Sequence, residues 1–373
     1  MAGVNPSAAR EDSLALTVLA LNSGSSSLKF GLYRVDAARA DCVLEGNNAC
    51  TSIEGQTDAM REIAARVAAS GVPEPQVIGH RIVHGGPLVS RHALIDAPLL
   101  QQLEDASTFA PLHAGAGLEI IRLAQHHFPE QPQVACLDTV FHAALPTVAK
   151  TLPIARDVCA ASVHRYGFHG LSCESIVAQL GAALPERLVI AHLGQGASVT
   201  AVRAGRSVDT SMGLTPAGGL MMGTRSGDID PGLLIYLMRE KGMDAEQLEA
   251  LVNRRSGLMG VSGLSGDMRE LHAAAASNSS AALAIEMFCM GVRKQVASMA
   301  AVLGGIDRLV FTGGIGENDS AVRGSVCSGL AWIDGLQVQV LPSAEDARIA
   351  RHAWSVCGAN HRAASGHHGP PSR

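Results

Sequence analysis

Several short runs of this 373-residue chain place charged or polar side chains where apolar stretches give out. In His80-Arg81-Ile82-Val83-His84-Gly85-Gly86 an arginine sits inside an apolar segment. A buried guanidinium is costly unless paired. Arg81 is therefore either half of a structural ion pair or a clamp for phosphate or carboxylate, which its planar fork matches bidentately. Met222-Gly223-Thr224-Arg225-Ser226-Gly227 holds a second arginine between glycines, where a ligand can come close to the backbone. Leu137-Asp138-Thr139 ends an apolar run on an acid, which suits a metal-binding or catalytic carboxylate and equally a cap on the following segment. His169 lies between Phe168 and Gly170. Among fifteen histidines a lone one is more often structural than catalytic. No HExxH run occurs, so a zinc site of that kind is not expected.

Three glycine-polar loops follow apolar runs. Asn22–Lys29 is rich in unhindered amides and serine hydroxyls, with Lys29 at its edge. Successive amides of this kind form an anion-binding concavity, although a solvated serine-rich turn has the same composition. The GxxxxGK[ST] loop is absent, so the P-loop fold is not implied. His192–Gly196 repeats the chemistry with less charge, and Phe311–Asn318 reads FTGGIGEN. Its glycines let backbone approach a flat nucleoside, and Glu317 and Asn318 can bond hydroxyls. Ligands in α/β folds collect at such strand ends.

The elements that must position these groups read as alternating strands and helices. Strands are expected at 14–21, 28–33, 76–83, 134–137, 188–193 and 308–312. A hairpin is expected about Gly205, and helices over 58–69, 117–127, 174–184, 231–241, 244–253 and 281–303. Residues 1–13 and the last dozen read as loose. The run from Leu19 to Lys29 and the run from Val189 to Val199 share one plan of strand, small polar turn and strand. Two related halves facing one cleft would explain that repeat, as would two unrelated hairpins. Length suits two domains. Aromatics make up only 3% of the residues, so the core must be aliphatic. A net charge of -5 without a basic face argues against nucleic acid. The apolar run at 14–21 is too short for a membrane span, and Glu11 and Asp12 argue against a signal peptide. Eight scattered cysteines without CxxC fit reduced thiols and a cytoplasmic protein.

Taken together, LALNSGSSSLKF, GHRIVHGG, FAPLH, LDTVFHAALP, RYGFHGLS, IAHLGQGASVTAV, VDTSMGLTPAGGLMMGTRSGDIDP, GVSGLSGDMREL and FTGGIGEN closely resemble the acetate kinase family, in its order, over residues about 18 to 350. The resemblance implies an α/β fold of two duplicated actin-like, ribonuclease H-like ATPase domains, shared with sugar kinases, chaperone ATPases and actin, with the nucleotide in the cleft between them. It places an N-terminal domain at 1–145, completed by about 346–362, a nucleotide-binding domain at 146–345, and a disordered tail at 363–373. It implies reversible transfer of phosphate from ATP to acetate, with magnesium or manganese, in a homodimer.

By motif, Asn22 and Glu345 would serve the metal, and Lys29 would contact ATP. Asp138, His169 and Arg225 would be catalytic. Arg81 and His113 would bind substrate, while Val83, Leu112, Phe168 and Pro216 would surround the acetate methyl. His192, Leu193, Gly194, Gln195 and Gly196 would hold the nucleotide, with Asp267, Met268 and Arg269, and with Gly314, Ile315, Gly316, Glu317 and Asn318. Three places depart from the family pattern. Ala114-Gly115-Ala116 replaces Asn-Pro-Pro, Gln195 stands for asparagine, and Ala344 replaces an asparagine before Glu345. A propionate or butyrate kinase of the same family, and a non-catalytic nucleotide-binding regulator on the same fold, are the rival expectations.

Overall fold

The computed structural model describes residues 15–24, 27–50, 52–109, 111–159 and 162–365. The side chains of residues 108–114 and 359–365 lie outside the description. The expectations for residues 1–13, Ser25, Ser26, the side chains of Leu112 and His113, and the segment 366–373 therefore fall outside the described residues.

The first sheet contains β1 (Leu16–Ser23), β2 (Ser27–Val35), β3 (Ala40–Ala49), β4 (Val77–Ile82), β5 (Ala93–Leu94) and β6 (Gln133–Leu137). Its order is β3-β2-β1-β4-β6-β5. The second contains β7 (Arg187–Leu193), β8 (Ala197–Arg203), β9 (Arg206–Thr210), β10 (Arg308–Thr312) and β11 (Gln337–Val340), in the order β11-β10-β7-β8-β9. In both, a first strand pairs antiparallel with its successor, which pairs antiparallel with the third. A later strand then pairs parallel on the other side of the first. The short repeat in the sequence is thus one corner of a repeated topology. The register sets Asn22, opposite Lys29, and His192, opposite Ser198, at corresponding strand ends.

The helices in chain order are α1 (Ile53–Ala69), α2 (Ala97–Asp105), α3 (Pro111–His127), α4 (Thr147–Lys150), α5 (Gly170–Leu180), α6 (Pro231–Lys241), α7 (Ala245–Arg254), α8 (Gly257–Ser262), α9 (Met268–Ala274), α10 (Ser279–Leu303), α11 (Gly313–Asn318), α12 (Ser320–Ser328) and α13 (Glu345–Ser365). Most starts are capped by local side chains. Ser52 accepts from the Gly55 amide, so α1 begins well before the expected Asp58. Asp244 and Gln247 form a reciprocal capping box on α7. The β8–β9 hairpin turns through Ala204 and Gly205, both at positive φ, as a tight two-residue connection demands. Two expectations are corrected. FTGGIGEN is not an open glycine loop: Gly313 begins α11 directly after β10. Residues 363–365, expected in the tail, are helical in α13.

α13 returns from the end of the chain to the first sheet. Ile349, Ala350, Ala353 and Cys357 pack on Val18, Ala20, Val77, Val134 and Cys136. Gly79 permits this approach, since a Cβ there would lie 2.7 Å from the Ile349 side chain. α10 covers the second sheet with Val292, Val296 and Met299. Glu174 on α5 accepts from Arg348 and from His352 Nε2 (2.7 Å), both on α13. The His92 ring lies against that of His352 at 3.8 Å. Two histidines and a carboxylate within reach of one another suggest a metal site, but the chemistry is otherwise. His92 Nδ1 accepts the Leu137 amide proton, which keeps the ring proton on Nε2, and Arg348 already neutralises the carboxylate. The cluster is a hydrogen-bonded clamp between α5 and α13.

Candidate active site

The ends of β1, β4, β6 and β7 meet the start of α13 around a cavity of about 300 Å³. Arg81, at the end of β4, donates from Nε (2.8 Å) and Nη2 (2.6 Å) to Asp138 Oδ2, just past β6. Asp138 is fully buried, whereas Arg81 keeps 15% of its side chain exposed. Arg81 is thus ion-paired, and it also lines the cavity. Burial pushes the Asp138 carboxyl up, against the pull of Arg81.

Asn22 bridges the charges. Its Oδ1 accepts from Arg81 Nη1 (3.3 Å), and its Nδ2 donates to Glu345 Oε2 (3.0 Å) and Asp346 Oδ1 (2.8 Å). These partners fix the amide orientation, because the reverse would set an oxygen against two carboxylates. Asn22 thus ties Arg81 to the two acids at the start of α13. Burial opposes ionisation of Glu345, but Arg81, His192, Asn22 and Lys29 together hold its carboxyl below the usual range. Burial and the neighbouring Glu345 push Asp346 up. Asp138 Oδ1 is buried with no side-chain partner, and the Leu171 amide helps to stabilise the carboxylate. Asp138 and Glu345 both line the cavity and offer hard oxygen donors of the kind that suits magnesium. Asp346 was not singled out from the sequence. An acid beside Glu345 in the first turn of a helix reads as dipole compensation.

His169 caps α5 in a left-handed conformation (φ 57°), and its ring stacks on that of His192 at 4.1 Å. Gly196 leaves room for it: a Cβ there would sit 3.2 Å from His169 Nε2. Burial, then His192, Arg81 and Arg225, holds His169 well below its ordinary pKa, and burial also lowers His192. Arg225 donates to the Pro216 carbonyl (2.9 Å). Burial and the facing Arg81 pull its pKa down to about 10. Two guanidinium groups that repel across one cavity make a site for an anion. Val83, Phe168 and Pro216 supply the apolar wall, and Lys29 lies at the rim.

A second cavity of about 950 Å³ adjoins the first, sharing Gly194, Gln195 and Gly314 with it. Asp267, Met268 and Arg269 line it at the start of α9, and Ile315 and Asn318 line it from α11. His192 belongs to the smaller cavity. Leu193 is buried in the core behind the wall, and Gly316 is buried in α11, so neither offers a side chain. Glu317 is committed elsewhere: its Oε1 accepts from the Gly313 (2.9 Å) and Ser343 (3.0 Å) amides. It braces the wall.

Of the departures, Gln195 lines both cavities. Ala344 is strained at φ 36°, in the region that favours glycine or asparagine. Ala344→Gly is expected to stabilise the fold by about 1 kcal/mol, read from the urea midpoint. An unchanged or lower midpoint would show that the strain is absent.

The acetokinase family model matches residues 17–352. An acetate kinase of Thermosynechococcus vestitus is 40% identical over 364 residues, covering 85% of this chain and 87% of that protein. One from Clavibacter michiganensis is 42% identical over 345 residues, covering 85% and 87%. The crystal structure of Porphyromonas gingivalis acetate kinase superposes with a TM-score of 0.78 at 32% identity, over 92% of this chain and 100% of that one. A propionate kinase from Francisella tularensis gives 0.81 at 34% identity, over 91% and 100%. The two duplicated actin-like halves are the fold of these kinases. With a family match along nearly all of its described length and relatives at about two-fifths identity, the chain belongs to the acetokinase family.

Proposed function

We propose that this chain reversibly transfers the terminal phosphoryl group of ATP to the carboxylate of acetate, giving ADP and acetyl phosphate. The observation that carries this reading is the small cavity with two facing arginines and an apolar wall, opening into a nucleotide-sized one. Acetate is ionised near pH 7, so the acceptor needs no strong base. The obstacle is bringing an anion to a polyanion, and positioning and positive charge overcome it.

Arg81 receives the carboxylate, while Arg225 and His169 meet charge on the transferring group. Val83, Phe168 and Pro216 enclose the methyl. The larger cavity holds the nucleoside, and the Gly194–Gly196 turn and Lys29 meet its phosphates. Magnesium, or manganese in its place, would be held by Glu345 and Asp138, with Asn22 orienting Glu345, and would neutralise phosphate charge. We further propose a cytoplasmic homodimer. α6 exposes Leu233, Ile235, Tyr236 and Met238 and buries none of its residues, an apolar surface suited to a second copy and testable by sedimentation.

Trapping acyl phosphate as hydroxamate from acetate, propionate and butyrate with MgATP tests the reaction. Product with none of the three would leave a nucleotide-binding regulator as the reading. In the same assay, Val83→Ala is expected to raise kcat/KM for propionate relative to acetate by roughly tenfold, since one methylene is worth about 1–3 kcal/mol. An unchanged ratio would remove Val83 from the specificity wall.

A further inference from the structure

Three buried histidines near the cleft each share their Nδ1 with a serine hydroxyl. His169 Nδ1 is 3.0 Å from Ser198 Oγ, His192 Nδ1 is 2.8 Å from Ser172 Oγ, and His142 Nδ1 is 2.8 Å from Ser207 Oγ. In the third pair the tautomer is decided independently. His142 Nε2 is 2.9 Å from the Phe168 carbonyl oxygen, which can only accept. That ring therefore carries its proton on Nε2, and its Nδ1 accepts from Ser207.

The other two pairs follow by elimination. Ser198 and Ser172 are fully buried, at 0% exposure. Among the described residues, the hydroxyl of each has the histidine as its partner and no other. If the ring donated from Nδ1, the hydroxyl proton would face no acceptor in a dry interior, and a buried donor left unpaired is costly. Donation from the hydroxyl to Nδ1 satisfies both groups and leaves the ring proton on Nε2. Those Nε2 atoms lie at the cavity wall. A Cβ on Gly196 would be 3.2 Å from His169 Nε2, and one on Gly313 would be 3.1 Å from His192 Nε2.

We propose that Ser198 and Ser172 are positioning residues that hold His169 and His192 as Nε2–H donors toward the phosphoryl group in transit. The phosphoryl group enters from the proposed kinase reading; the tautomers do not depend on it. Burial disfavours the charged form of both rings, so each offers one proton, and its placement decides the sign of the contact. With the proton on Nδ1, each ring would turn a lone pair toward the anion.

The test uses full-length protein labelled with ¹⁵N-histidine. In the unliganded protein near pH 7.5, the Nδ1 of His169 and of His192 is expected to be pyridine-like and the Nε2 pyrrole-like, assigned with single-histidine variants. Ser198→Ala should lose that signature at His169 alone and lower kcat about tenfold or more, with KM for acetate and ATP within about twofold. Ser198→Thr, which keeps the hydroxyl, should restore both. A pyrrole-like Nδ1 at either ring of the unsubstituted protein overturns the proposal, as does a Ser198→Ala protein with unchanged signature and unchanged kcat. If Ser198→Ala does not fold, the threonine variant and the unsubstituted spectrum still decide. An absence of hydroxamate would count against the kinase reading and leave the tautomer result standing.

Discussion

Asp138→Asn is expected to lower kcat by roughly 10²–10³, the size of effect seen when one preorganised charged contact is removed, and to raise the magnesium concentration needed for half-maximal rate. The reason lies in the shared oxygen. Arg81 places both Nε and Nη2 on Asp138 Oδ2, and the other oxygen is buried with no side-chain partner. Asparagine keeps the shape but weakens the hold on Arg81 and removes charge from the donor set. Because acetate arrives ionised, no limb of the pH–rate profile should move, as it would if Asp138 served as a base. Asp138→Ala goes further and leaves Arg81 without its partner. A loss of about 2–3 kcal/mol in urea unfolding is expected, below the usual range for a broken buried pair because Arg81 is partly exposed. Full kcat with ordinary metal dependence in Asp138→Asn would rule out this role.

Mild acid should destabilise the fold before the carboxylates begin to protonate. Burial lowers His80, His84 and His142 to about 4. Burial, with His352 beside it, lowers His92 to about 3. Each folded pKa lies below the unfolded value, so the unfolded chain takes up protons that the folded one refuses. The stability these rings contribute is present above pH 6.5 and is lost as pH falls toward 4 and 3. Four such groups together give a loss on the order of 5 kcal/mol between pH 6.5 and 5. Glu174 adds a second decline. Burial opposes its ionisation, but His352 and Arg348 hold its carboxyl down at about 2, so its contribution is lost between the ordinary carboxylate range and that value. Urea midpoints at pH 7.5, 6.5, 5.5 and 4.5 would show the trend. A flat line from 7 to 5 would mean that the rings are not buried in neutral form.

The pieces of the site legible in the sequence share one property: their chemistry is local. Arg81, Asp138 and the three glycine-polar runs sit at the ends of apolar runs, where a strand end is visible without knowing what it faces, and Arg225 stands out by its flanking glycines. Contacts made across the chain were not legible. Asp346 and the serines at 172 and 198 have no spacing signal; they matter because of where Asn22, His192 and His169 come to lie. β3 escaped because it is an edge strand of mostly polar, partly exposed residues, without the apolar run that marks its neighbours. α13 escaped because its buried stripe of Ile349, Ala350, Ala353 and Cys357 is made of small and modestly apolar residues. FTGGIGEN was read as a loop from its glycines, yet the tight strand-to-helix step needs Gly313 at φ 79° and the helix then proceeds.

The return of α13 to the first sheet has a consequence for how the protein comes into being. Asn22 and Glu345 are 323 residues apart, and that helix, with Leu171 of α5 beside it, covers one face of β1, β4 and β6. A chain emerging from the ribosome must carry Val18, Ala20 and Cys136 without their cover until residues 345–357 have been made. The first half is therefore the part most in need of chaperone protection during synthesis. Loop closure over so long a span also sets this docking late in folding. Because the same helix delivers Glu345 and Asp346, a nascent chain cannot begin catalysis before its oldest segment has found its youngest.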